Sequence, residues 1–285
     1  MRTHTLAAIG PAEIEAARKA HPKAFGDPLA RALKIGSWAA MLGYLVYSLW
    51  MFEFYKLLEP SQNAARMLSR MVVWQDMDTW AYDQIYVGIA QTIAMAFLGT
   101  LLATVLALFI AFAAARNTMP LFLPRQAVRR VLDVLRGVDQ LIWGLVFVRA
   151  VGLGPLAGVL AIFVSDTGTL AKLYSEAIEN IDKKQVEGVR ATGADGARTI
   201  RYGILPQILP VFISLSLYSF ESSTRSATIL GLVGAGGVGM VIIERFRAGL
   251  FDQVAFVVLN VLVVIAVIDF VSGKIRKRFI GERGH

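Results

Sequence analysis

Predominantly apolar runs near 20 residues recur along the chain, parted by polar and basic stretches. A run of that length, wound as a helix, crosses the roughly 30 Å of hydrocarbon in a bilayer. The pattern predicts six spans, at about 35–55, 85–115, 137–151, 153–173, 206–224 and 254–271. Tyr44, Tyr47, Trp50 and Tyr55 gather in the far half of the first, as aromatic rings do near a membrane interface. The second carries no charge and repeats Gly88, Ala90, Ala94, Ala96, Gly99 and Ala103, small residues that let helices approach closely in lipid. The third and fourth form a hairpin turned by Gly152-Leu-Gly-Pro155. An all-α integral membrane protein follows.

The polar stretches set the organisation. Residues 1–34 read as a cytoplasmic arm with a short amphipathic helix at AEIEAARKA and no cleavable signal peptide. Residues 35–273 hold the six spans, with a polar loop at 174–205, and 274–285 form a basic tail with Lys274, Arg276, Lys277 and Arg278. Six spans put both termini on one side. The basic stretches 116–136 and 172–205 and the tail then share that side, while 56–84 and 221–252 lie opposite and are balanced in charge. The positive-inside rule makes the basic side cytoplasmic.

Composition agrees. The chain of 285 residues is 56% hydrophobic and 18% charged, below the roughly 25% of soluble domains. Its mean hydropathy is +0.57. Net charge is +8, but the cations flank apolar runs, and Phe122 is the lone aromatic among Arg116, Arg125, Arg129, Arg130 and Arg136, so the charge sets topology rather than binding nucleic acid. There is no cysteine, and His4, His21 and His285 lie in the terminal segments, which excludes a thiolate site and a histidine metal site in the core. No phosphate-binding G-x-x-x-x-G-K-[ST] occurs, since Gly273-Lys274 is followed by Ile275. Gly234-Ala-Gly236-Gly-Val-Gly239 matches G-x-G-x-x-G but lacks the strand and helix around it that a dinucleotide site needs. It reads instead as backbone turning back within the membrane, which is tolerated where it is buried in protein or lines water.

Two stretches carry candidate function. From Glu187 to Pro206 the chain is polar and basic: Gln185 to Ala191 can form a short helix, Gly193 breaks it, a second short helix passes through Arg198 and Arg201, and Pro206 opens the fifth span. This is a helical knob suited to a partner protein. Phe220-Glu-Ser-Ser-Thr-Arg225 is the second. Glu221 and Arg225 stand one helical turn apart and either neutralise each other or leave Arg225, with the hydroxyls of Ser219, Ser222 and Ser223, to meet an anionic solute. Asp139 and Asp166 fall in or at the ends of spans and are assigned to structural pairing near the cytoplasmic ends; Asp269 is assigned to an interfacial charge facing the basic tail.

The spacing from Glu187 through Gly193 to Leu205-Pro206 resembles the cytoplasmic loop of ABC importer permeases, with Gly188 where that family usually has Ala and Gly203 where it often has Ile. FESSTRSATILGLVGAGGVG, VGLGPLAGVLA and QVEGVRATGA resemble the phosphonate importer permeases more specifically, over about residue 85 to the tail. The resemblance implies the type I ABC importer permease fold, a homodimer, and import of phosphonate, phosphite or phosphate by alternating access. It implies Glu187, Gly188, Ala191, Gly193 and Pro206 as the coupling surface for two ATPase subunits that hold ATP and Mg, with no cofactor on this chain. A periplasmic binding protein would deliver the anion near Ser219, Glu221, Ser222, Ser223 and Arg225. Gly231, Gly234, Gly236, Gly237 and Gly239 would gate the path or dock that protein.

The residues themselves argue for a conduit over an enzyme, because no acid–base pair, activated nucleophile or metal cluster is visible in the core. A stand-alone secondary transporter or channel for a small anion is the alternative; it would have no use for a docking knob. An enzyme acting on lipid phosphates would need ligand clusters at a membrane face.

Overall fold

The computed structural model describes residues 10–20, 28–54, 62–74 and 77–280, and every regular element among them is helical. The chain divides into two compact units, residues 1–65 and 66–285. The first holds α1 (Pro11–Ala20) and α2 (Pro28–Met51), and α3 (Gln62–Val72) runs from it into the second. The second holds α4 (Tyr82–Ala114), α5 (Phe122–Gly137), α6 (Gln140–Val151), α7 (Pro155–Glu179), α8 (Lys183–Ala191), α9 (Gly196–Thr199), α10 (Leu205–Leu232), α11 (Val238–Arg247) and α12 (Phe251–Ile280).

The second unit is built around α4 and α7. Gly88, Thr92, Ala96, Gly99, Ala103, Ala107, Ala111 and Ala114 recur every three or four residues on α4, making one buried stripe of small side chains. A smooth stripe lets backbones pack closely where lipid supplies no hydrophobic drive between helices. Leu170, Ala171, Tyr174 and Ile178 of α7 pack into it, joined by Ile208 and Phe212 of α10. A second cluster joins Met95 and Ala96 to Ala157, Ala161 and Ile162 and to Ala227 and Leu230. Near the start of α4, Trp74, Trp80 and Tyr82 each meet Phe256 edge to face, with ring centroids 5.3–5.8 Å apart, an arrangement aromatic quadrupoles favour.

Among the described residues, four helices are long and apolar enough to cross a membrane: Tyr82–Ala114, Pro155–Glu179, Gly196–Leu232 and Phe251–Arg278. The expected first span begins earlier than its apolar run, at Pro28, and α2 falls outside those four. The third, expected at 137–151, is a 12-residue helix only about 18 Å long. The basic stretch 116–136, expected as a loop, is largely the helix α5, which leads into α6 through a break at Val138 and Asp139. Residues 221–252 are likewise not a loop but the end of α10 and all of α11. The stretch expected to loop from 174 stays helical to Glu179, and the basic tail rides on the last turns of α12 up to Ile280.

Ion pairs strap α5 to α7. Arg129 meets Glu179, and Lys172 meets Asp133. Asp133→Asn, which leaves Lys172 of α7 without its carboxylate, should lower the melting temperature of the solubilised protein modestly, as expected of a partly exposed pair.

Candidate functional site

The knob forms as its sequence dictates. Asp182 caps α8 by accepting from the Lys184 N–H at 2.9 Å, and Asp195 caps α9 by accepting from the Arg198 N–H at 2.8 Å. Between them Gly193 turns with φ +83° and donates its N–H to the Arg190 carbonyl at 2.9 Å, the left-handed cap that glycine favours. Val186 is buried under the knob, while Glu187, Gly188, Ala191 and Gly193 are exposed. A Cβ on Gly188 would meet nothing within 4 Å, so that glycine serves no packing need. Glu187 makes no ion pair among the described residues.

Pro206 does not begin a separate helix. Residues 196–232 form one continuous 37-residue helix, with a π-helical turn at Ile200–Ile204 absorbing the proline. The knob is fastened to this rod: Gln207 accepts from the Asp182 N–H at 3.0 Å and donates to the Gly203 carbonyl at 2.7 Å. Gly203 lies against α8, and a Cβ there would sit 3.4 Å from the Val186 Cα.

Higher on the same rod lies a polar cavity of 270 Å³, lined in part by Arg136, Asp139, Gln140, Asp166, Thr169, Tyr218, Ser219, Ser222, Ser223 and Ser226. The α10 residues 219, 222, 223 and 226 share one face by helical spacing. Asp166 organises the cavity floor. It sits near the middle of α7 rather than toward an end, and it is 7% exposed. Its Oδ2 accepts from the hydroxyls of Thr100 at 3.0 Å, Ser219 at 2.9 Å and Ser223 at 2.8 Å; its Oδ1 accepts from Gln140 Nε2 at 3.2 Å. These donors come from α4, α10 and α6; three crowd onto Oδ2 and one reaches Oδ1, so neutral donors hold the carboxylate without a cation. Asp139 caps α6 by accepting from the Leu141 N–H at 2.8 Å.

Glu221 and Arg225 lie on another face. Arg225 contacts Glu221 at 3.3 Å and both oxygens of Asp269 at 3.2 Å, while Glu221 also holds Arg276 at 2.8 Å. Asp269 thus faces α10 rather than the basic residues after it, of which Arg276 reaches Glu221 instead. The cluster joins α10 to α12. Sequence spacing pointed to the Glu221–Arg225 pair but not to α12, and it missed Arg136, Gln140 and Tyr218 because they reach the cavity from other elements or by turns of α10. A polar side chain such as Tyr218 in an apolar helix was the signal available for them.

The glycine stretch closes a tight hairpin between α10 and α11. Gly231 and Gly239 touch: a Cβ on Gly231 would lie 2.5 Å from the Gly236 carbonyl and 2.7 Å from the Gly239 Cα. Gly234 accepts from the Gly154 N–H at 3.1 Å, tying the hairpin to the turn before α7, and Val238 donates to Thr92 at 2.8 Å, tying Gly237 and its neighbours to α4. Gly236 has φ +79°, and a Cβ there would fall 2.7 Å from the Pro155 nitrogen.

The family described as the binding-protein-dependent transport system inner membrane component matches residues 103–281. A phosphite transport system permease protein, PtxC of Stutzerimonas stutzeri, is 40% identical over 66% of this chain and 68% of its own. The putative phosphite transport system permease protein HtxC of the same organism is 38% identical over 79% and 78%. The phosphate-import permease protein PhnE of Mycolicibacterium smegmatis is 38% identical over 69% of this chain and 37% of its own. Among solved structures, an inward-facing MetNI methionine ABC transporter overlays with a TM-score of 0.61 at 20% identity, covering 72% of this chain and 99% of that one. A bacterial alginate ABC transporter in complex with an alginate-bound periplasmic protein gives a TM-score of 0.54 at 17% identity, covering 82% and 94%.

Replacing Gly236 with Val adds bulk against Pro155 and strains a positive φ, which should destabilise the protein by about 1–3 kcal/mol. Gly188→Ala, with open space around it, should be neutral or stabilising by up to about 1 kcal/mol. Thermal melting of the two solubilised variants beside the parent protein checks both.

Proposed function

The chain belongs to the binding-protein-dependent transport system inner membrane component family, and from that premise we propose that it is the permease of an ATP-driven importer of phosphonate or a related phosphorus oxyanion. It is a multi-pass component of the bacterial inner membrane and not itself an enzyme. The observation that carries the mechanism is the continuous 37-residue helix joining the exposed knob to the cavity face of Ser219, Ser222 and Ser223.

In this reading α2 and the α5–α6 pair supply two crossings beside the four long helices, giving six. Both termini and α8 face the cytoplasm, where Arg116 and the first turns of α5, with Arg125, Arg129 and Arg130, also lie before the rest of α5 enters the membrane. Two copies form the permease, and each presents Glu187, Gly188, Ala191 and Gly193 to an ATPase subunit. ATP and Mg bind on those partners, since no phosphate-cradling loop is present in this sequence. When the partners close, the push on α8 passes through Gln207 and the π-turn into α10, whose interior proline, Pro210, lies between the knob and the cavity. Rotation or tilt of α10 carries its hydroxyl face with it, opening the cavity alternately to either side. The glycine hairpin sits at the other end of α10, where a periplasmic binding protein would dock and release its cargo. The relatives' phosphite and phosphate names support the cargo class. Glu221 and Arg225 act here as a brace between α10 and α12, not as the anion's contact.

Reconstitution in liposomes tests the reading. With the ATPase and binding-protein partners present, ATP should drive phosphite or methylphosphonate uptake; uptake by this chain alone, driven by an ion gradient, would favour a secondary carrier. Glu187→Ala should cut ATP-driven uptake on the order of tenfold or more, as loss of an interface anchor does. Arg225→Gln, which leaves Glu221 paired with Arg276, should keep uptake within about threefold of the parent, in line with a partly exposed pair.

A further inference from the structure

Arg136 ends α5 beside the middle of α7: a Cβ on Gly168 would lie 2.9 Å from the Arg136 nitrogen. The residue is exposed at that depth and makes no ion pair among the described residues. A charge halfway along a membrane bundle faces water or a partner, because lipid does not solvate it. Arg136 lines the 270 Å³ cavity and, among the described residues, is the one cationic side chain that does. Arg225, Arg129 and Lys172, by contrast, are already matched to carboxylates.

Asp139 lines the same cavity three residues on. Its Oδ1 is committed to the Leu141 N–H, and it makes no ion pair among the described residues. Because Asp139 caps α6, the amino end of that helix is already satisfied, and the guanidinium is the positive group offered to a ligand. Asp166 is buried and already takes four donors, three of them on Oδ2. An ionised carboxylate only accepts hydrogen bonds. An oxyanion seated against both Arg136 and Asp139 must therefore bring its own proton.

We propose that Arg136 and Asp139 form an anion station in this cavity for a phosphorus oxyanion that keeps one P–OH. The guanidinium takes the ionised oxygens in a bidentate fork, and the free oxygen of Asp139 accepts the P–OH proton. Fully ionised tetrahedral anions such as sulfate meet Asp139 with no donor and are repelled. The nearby carboxylates offset the arginine charge, so the anion is held weakly enough to leave, as conduction requires. The station rests on the importer reading above and names the cargo's protonation state at that site.

The test uses the chain assembled with its ATPase partners, and with the binding protein for uptake. Arg136→Gln should lower ATP-driven phosphite uptake on the order of tenfold while co-purifying with the ATPase at the parent yield, and Arg136→Lys should recover part of it. Without the binding protein, phosphite should raise the melting temperature of the parent complex but not of Arg136→Gln, and sulfate should raise neither. Asp139→Asn keeps the helix cap and supplies a donor, so sulfate should now stabilise the complex. Parent-level phosphite uptake by Arg136→Gln, or no sulfate effect in Asp139→Asn, overturns the station while the importer reading stands. Should Arg136→Gln fail to assemble, undiminished uptake by Arg136→Lys overturns it and partial loss supports it. A parent complex that moves no phosphorus oxyanion with ATP overturns the importer reading and the station with it.

Discussion

A carboxylate buried among packed helices must have its lone pairs met, because charge without partners is expelled from such surroundings at high cost. Asp166 meets that demand with hydroxyl and amide donors from α4, α6 and α10. The requirement fixes which faces of three helices turn toward α7. It also explains why serines crowd one side of α10: two of them satisfy Asp166, and their neighbours Ser222 and Ser226 are left to line the cavity. The polar groups around Asp166 thus form one connected network that opens on the cavity.

A continuous helix links that network to the knob. A proline in a helix ordinarily makes a hinge, since it removes a hydrogen bond and crowds the preceding turn. Here the wider π-helical turn at Ile200–Ile204 takes up the distortion ahead of Pro206, and Gln207 pins the start of α8 to the rod. Movement of the knob is passed along a continuous helix toward Ser219 and Ser223, across one interior proline, Pro210. At the far end the rod turns back through a hairpin in which Gly231 and Gly239 touch, bonded to the turn before α7 and to α4. The rod is anchored at both ends, and the cavity lies between the anchors.

The break in the third crossing serves the same place. α5 and α6 are each too short to cross alone, and the residues at their junction are Arg136, Gly137, Val138, Asp139 and Gln140. Three of these carry polar side chains into the cavity lining.

Hydropathy, charge asymmetry and proline–glycine punctuation were enough to determine a helical membrane protein, the knob from Glu187 to Gly193, the turn at Gly152–Pro155 and the returning backbone at Gly234–Gly239. Those features depend on local composition and on the thickness of a bilayer, which a linear reading contains. The partners of Asp166, Arg225 and Asp269, the helical state of 122–137 and the cavity itself were decided only by tertiary structure. Thr100, Gln140, Ser219 and Ser223 lie on three different helices, and nothing in sequence spacing brings them to one carboxylate. Glu221 and Arg225 show the same limit: their spacing revealed the pair, but only the packing of α12 revealed that Asp269 and Arg276 complete it and turn it away from the cavity.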